Sequence, residues 1–252
     1  MLIPIGDDKT GRQSAPFINY TLIAINIVVF FIELSLGNDF INGYAAIPYE
    51  IRHGVDLIHA VRVPGLGIIP EAPGPAPIYL TLLTSMFMHG GWLHIGFNML
   101  FLWVFGDNVE DNFGHLKYLI FYLLCGLAAA FAQILPDPNS PIPSLGASGA
   151  IAGVLGAYMI MFPRNKVRVL LPLFIIWTVV RLPAILVIGF WIVSQLFSQF
   201  AVITSNTRQS QGGGVAYMAH IGGFFAGLIL TFLFRNRDGG ANPQYEYWPP
   251  PN

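Results

Sequence analysis

Four polar side chains stand inside apolar runs of this 252-residue chain: His94 and Asn98, then Ser148, then His220. Hydrogen-bonding and ionisable groups are costly within a bilayer, so each is a site candidate by default. Their types suit one chemistry. A serine hydroxyl becomes a nucleophile when a histidine takes its proton, which needs a separation of about 2.6–3.2 Å. His94 and Asn98 are spaced i, i+4, so they share a helix face and can both donate to one point. Ser148 lies in Gly146-Ala147-Ser148-Gly149, where loop becomes helix, with Ala152 and Gly156 below it and Gly149 and Gly153 beside it. His220 is followed by Gly223 and Gly227, a spacing that lets two transmembrane helices pack closely. Two small faces permit the approach that a Ser–His pair requires.

The elements that must position these residues are membrane spans. The chain is 54% hydrophobic and 10% charged, with a mean hydropathy of +0.61, against roughly 45–50% and 25% in an average soluble domain. That composition excludes a soluble enzyme and predicts an all-α bundle of transmembrane helices. With 12 Lys+Arg against 13 Asp+Glu the net charge is −1, and no basic cluster is present to neutralise phosphates, so no nucleic-acid partner is expected. The one cysteine, Cys125, excludes an intramolecular disulfide.

Spans are read at Phe17 to Leu36, Trp92 to about Asn108–Asn112, His115 to Leu135, Leu145 to Phe162, and Val215 to Phe234. The first is too long for a cleaved signal core. Gly37 to Pro77, rich in Pro and Gly towards its end, reads as an extramembrane loop, and Ile78 to Met88 as interfacial. The apolar stretch Val167 to Ile203 is long enough to cross once or twice, and is broken by Pro172, Arg181 and Pro183. Lacking a helical period, Val167 to Leu182 is assigned to the interface and Pro183 to Ile203 to one crossing. The expected organisation is a short cytoplasmic N-terminus (1–16), a six-span domain (17–234) and a flexible cytoplasmic tail (235–252).

Positive charge orients this bundle. With the N-terminus inside, the inner segments hold Lys9, Arg12, Lys117, Arg164, Lys166, Arg168, Arg181, Arg235 and Arg237, and the outer loops only Arg52, Arg62 and Arg208. Both termini are therefore expected in the cytoplasm, and the membrane is the cell (inner) membrane if the host is prokaryotic. Spans two, four and six then start at the outer side, and all four polar residues fall within about two turns of their span's start. They share one depth. A seventh span would put His220 in the leaflet opposite Ser148.

GASGAIAG, with His94-x-x-x-Asn98 upstream and Ala219-His220-Ile221-Gly222-Gly223 downstream, resembles the rhomboid intramembrane serine proteases over nearly the whole chain. His89, five residues before His94, and Gly106-Asp-Asn-Val-Glu110-Asp-Asn-Phe-Gly114 are further marks. The resemblance implies a six-transmembrane-helix rhomboid-like fold and a Ser–His dyad, in which Ser148 attacks a peptide carbonyl and His220 is general base, then general acid. It implies an oxyanion site formed by the Ser148 backbone N–H, Asn98 and His94. It implies transmembrane protein substrates in the lipid bilayer, entering past the fifth span with Trp191 and Phe97 as gate candidates, and neither cofactor nor metal. Ala152 stands where some members carry an aromatic that packs on the histidine, and Pro-rich sequence replaces a Trp-Arg pair in the first loop.

Other readings are weaker. Each of the four residues alone would more often be structural. A zinc site built from His89, His94 and His220 suffers from an i, i+5 spacing that sets His89 and His94 about 140° apart on a helix, without a carboxylate base. A non-catalytic rhomboid-like binder of transmembrane clients is the alternative, opposed by intact Ser148 and His220. A transporter would need broken helices in two halves. His89 is expected to fix the outer loop, and Glu110 and Gly114 to anchor an inner helix end. Asn26 and Glu33 have no assigned role.

Overall fold

The computed structural model describes residues 2–8, 14–63, 67–173, 176–204 and 215–236. Lys9, Arg12, Arg208, the Gly212–Gly214 run, Arg237 and nearly all of the expected tail lie outside the described residues. In chain order, strand β1 (Ile3–Asp7) precedes helix α1 (Phe17–Leu36). The first loop contains α2 (Asn38–Tyr44), α3 (Pro48–His53) and a hairpin of β2 (Val61–Val63) and β3 (Gly67–Ile69). Short 3-10 turns flank α4 (Thr81–Thr84), and then come α5 (Trp92–Phe113), α6 (His115–Ile134) and α7 (Ser148–Met161). Strands β4 (Lys166–Leu173) and β5 (Ile176–Pro183) lead to α8 (Ala184–Thr204) and α9 (Tyr217–Phe234).

Among the described residues, α1, α6, α8 and α9 are long and apolar enough to cross a membrane. Helix α5, at 22 residues, is long but ends on Asp107, Glu110 and Asp111. Helix α7 has 14 residues, or about 21 Å, short of the roughly 30 Å hydrocarbon core. These six make one bundle around α7, which is buried continuously from Gly149 to Tyr158.

Glycine decides the packing. A Cβ at Gly156 would lie 2.6 Å from the Phe224 carbonyl oxygen, and Cβ atoms at Gly223 and Gly227 would run into the Gly149 and Gly153 carbonyls. So α7 and α9 meet backbone to backbone along the faces that the sequence marks as small. At the opposite end of the bundle, the Glu110 carboxylate accepts from the Ile18 N–H (2.9 Å) and the Asn19 N–H (2.7 Å). This supplies the cap that Pro16 cannot give α1 and sets a negative charge at its positive end. Gly114, at φ 82°, turns the chain directly from α5 into α6. The expected anchoring role of both residues is what these contacts provide.

The stretch after α7, which the sequence assigns to the interface without a regular element, is ordered. It is an antiparallel hairpin, and β1 adds to it to make a three-stranded sheet in the order β1-β4-β5. The physical reason is a period of two that the apolar composition hides: Val167 and Val169 are buried while Lys166 and Arg168 are exposed. Asp7 of β1 accepts from Asn108 Nδ2 and from the Tyr158 hydroxyl, tying the sheet to α5 and α7. A single helix, α8, then follows Pro183, as the one-crossing reading requires.

The first loop is folded and pinned to the segment that leads into α7. Ala46 and Ser144 exchange backbone hydrogen bonds of 3.0 and 2.9 Å, and the Tyr49 N–H donates to Ser140 O at 3.0 Å. Two carboxyls are enclosed in this loop. Burial pushes Glu71 up to about 8, helped by the negative charge of Glu50, and neither of its buried oxygens has a partner among the described residues. Burial likewise raises Glu50 to about 7, against the opposing Leu57 N–H that donates to it at 2.7 Å. A carboxyl raised on folding holds its proton in the native state above the ordinary value near 4.5, so stability falls as pH rises from there through about 8. Thermal unfolding in detergent should give a melting temperature that declines between pH 5.5 and 8.5, and Glu71→Gln should flatten the slope. An unchanged slope in Glu71→Gln would mean that this carboxyl is not buried in its protonated form.

Candidate active site

Helices α5, α7 and α9 all begin at one end of the bundle and bring their polar residues together there. Ser148 is the first residue of α7, and Gly146, at φ 135°, bends the incoming chain in a region that favours glycine. The Gly146 N–H is held by Ser85 O at 2.8 Å, so the loop is fixed before the helix starts. His220 lies in the first turn of α9 and is 8% exposed. Its Nε2 is 2.8 Å from Ser148 Oγ, within the reach that proton transfer needs.

The tautomer of His220 follows from its other nitrogen. Nδ1 is 2.8 Å from Gln195 Oε1 of α8. An amide oxygen can only accept, and the amide is oriented by its nitrogen, which donates to Ser194 Oγ at 3.0 Å. Nδ1 therefore carries the proton, and Nε2 presents its lone pair to the Ser148 hydroxyl. The indole of Trp191, one turn earlier on α8, packs against the imidazole with ring centroids 5.6 Å apart. Trp191 thus touches His220 itself, a contact beyond the gate role expected of it. Phe97 is half-buried on α5, one residue before Asn98.

His94 and Asn98 lie in the first two turns of α5. His94 Nδ1 accepts from the Gly90 N–H at 3.3 Å, which leaves its proton on Nε2. That Nε2 faces Gly146, beside Ser148: a Cβ built on Gly146 would lie 3.0 Å from it and 3.5 Å from Ser148 Oγ. Asn98 is 7% exposed, and its Nδ2 has no hydrogen-bond partner among the described residues. A buried donor left open costs about 1–3 kcal/mol, so its presence asks for an acceptor that arrives from outside. A recess beside Ser148 is lined by Ser85, Met86, Gly126, Ala129 and Ala150.

His89 is buried, and its backbone N–H donates to the Glu33 carboxylate at 3.1 and 3.2 Å. The loop before α5 is therefore fixed to α1 through the His89 backbone, which also gives Glu33 a role. Among the described residues the His89 ring nitrogens have no partner, and the ring lies edge-on to His94 at 5.2 Å between centroids. Asn26 donates to Leu22 O within α1 at 2.7 Å. Gln195 and Gln133 escaped the sequence reading. Gln133 Oε1 of α6 accepts from the Ala219 N–H at 3.2 Å and steadies the start of α9. The signal that could have found both is the same as for Asn98: an amide inside an apolar run.

Comparison with known proteins gives the family. The Rhomboid domain family model matches residues 77–237, and the chain belongs to that family. It is 36% identical to the Rhomboid protease GluP of Bacillus subtilis over 149 residues, which is 59% of this chain and 25% of that protein. It is 32% identical to RHOMBOID-like protein 5 of Arabidopsis thaliana over 166 residues, 65% of this chain and 47% of that one. It is 28% identical to Rhomboid protein 1, mitochondrial, of Saccharomyces cerevisiae over 159 residues, 60% and 40% of the two chains. In each case the match spans less than half of the relative's own length. The protein is an integral, multi-pass member of the family.

Proposed function

We propose that the protein is an intramembrane serine endopeptidase that cleaves transmembrane segments of membrane proteins near the outer leaflet. One observation carries the reading: the Ser148 hydroxyl stands 2.8 Å from a His220 nitrogen that is free to accept its proton. The open donor of Asn98 and the Nε2–H of His94 beside the nucleophile support it. So does the name of the Bacillus subtilis relative.

The steps follow from the atoms. Ser148 Oγ attacks the scissile carbonyl carbon as its proton passes to His220 Nε2. The carbonyl oxygen becomes an oxyanion held by the Ser148 N–H, Asn98 Nδ2 and His94 Nε2–H, donors already oriented in a site of low dielectric. The tetrahedral species collapses when the imidazolium gives its proton to the leaving amine. Water then attacks the acyl-enzyme as its proton passes to His220, and the imidazolium returns that proton to Ser148 Oγ as the new carboxyl end leaves. A helix of about 21 Å leaves Ser148 below the outer surface of the bilayer. Both termini are assigned to the cytoplasm on the strength of the charge asymmetry.

Purified protein in detergent, incubated with a panel of single-span substrates, tests the function: a discrete product cut within or near the outer end of the span is expected. Loss of one oxyanion donor lowers kcat by about 10²–10³ in serine proteases, so Asn98→Ala should lower kcat by that order with a smaller change in KM. If Asn98→Ala changed KM alone, the side chain would be a substrate contact and not a donor to developing charge.

A further inference from the structure

Helix α8 holds His220 from the side opposite Ser148, with two residues one turn apart. The Trp191 indole covers the imidazole, and Gln195 accepts from Nδ1. The amide is itself oriented. Gln195 Nε2 donates to Ser194 Oγ at 3.0 Å, and Ser194 Oγ donates to the Trp191 carbonyl at 2.6 Å. A single line of hydrogen bonds thus runs from Ser148 through His220, Gln195 and Ser194 into the backbone of α8. No carboxylate takes part in it.

We propose that Gln195 is the positioning residue that fixes the reactive tautomer of His220. The inference rests on the Ser–His reading above. When Ser148 Oγ attacks, its proton moves to His220 Nε2, and the imidazolium keeps its Nδ1–H on Gln195 Oε1. Without that acceptor the ring is free to carry its proton on Nε2, where it cannot serve as the base. Ala152, in the helix below Ser148, has no ring or amide to offer in its place.

The test uses the purified full chain in detergent with two readouts, substrate cleavage and the rate of Ser148 phosphonylation by a fluorophosphonate, a small reagent that needs no transmembrane substrate. Removing the carboxylate acceptor behind a catalytic histidine costs up to about 10⁴ in kcat; for a neutral amide, Gln195→Met should lower kcat about 10–100-fold. KM should stay within about threefold, and phosphonylation should slow in parallel. Gln195→Glu keeps an acceptor oxygen at the same chain length and should restore at least a third of the wild-type rate. Melting temperatures of all variants check that the fold persists. Wild-type kcat in Gln195→Met, or a Glu variant no better than Met, would overturn the tautomer role. If the wild type itself neither cleaves nor reacts at Ser148, the Ser–His reading fails, and that result is distinct from loss of the tautomer role.

Discussion

Ser148→Ala is expected to abolish cleavage, with kcat/KM falling by at least about 10⁴, while the melting temperature moves by no more than a few degrees. The removed atom is the nucleophile, and no other hydroxyl lies within hydrogen-bonding distance of His220 Nε2 among the described residues. Residual catalysis of a triad-type enzyme without its nucleophile comes only from the oxyanion donors and binding. The fold should be indifferent, because Ser148 is half-buried and its hydroxyl holds together no element other than the pair itself. Cleavage near the wild-type rate in Ser148→Ala would remove the dyad from the account.

Gly227→Val is expected to be nearly as damaging by a different route. A Cβ at Gly227 runs into the Gly153 carbonyl and Cα, so even the first added carbon must push α9 away from α7. Overpacking typically costs about 1–3 kcal/mol, and here the obstacle is backbone that cannot change rotamer. For a chain of this length each kcal/mol shifts the melting temperature by about 2–4 °C. A fall of roughly 2–12 °C is therefore expected, together with at least a 100-fold loss of activity in the protein that stays folded, since moving α9 lengthens the Ser148–His220 separation. Gly189→Ala on α8, where a Cβ meets nothing within 4 Å, should leave stability and activity near wild type. Equal tolerance at both positions would show that the contact between α7 and α9 is not tight.

Much of this arrangement is legible in the sequence because lipid leaves a chain few choices. A bilayer makes apolar length a direct measure of a span and makes every buried polar group a question, and both rules point to the residues that the structure brings together at one end of α5, α7 and α9. The small faces around Ser148 and below His220 announce the closest helix pair. What the sequence hides is cooperative. The β4–β5 hairpin is disguised because both its faces are apolar or interfacial, so only the exposure of Lys166 and Arg168 against Val167 and Val169 reveals its period. The folded first loop depends on backbone bonds from Ala46 to Ser144 and from Tyr49 to Ser140, about ninety residues apart in the chain, for which no local pattern exists. Gln195 and Trp191 gain meaning only from what α8 lies against. The same holds for Glu33, whose partner is a backbone N–H.

The central claim is that Ser148 is a nucleophile activated by His220, and mass-spectrometric mapping of fluorophosphonate adducts on the purified protein tests it most directly. The expected result is a single phosphonyl group, carried on Ser148, formed in the wild type and slowed by at least about 10³ in His220→Ala. An adduct on a different serine, or equal labelling of Ser148 with and without His220, would contradict it.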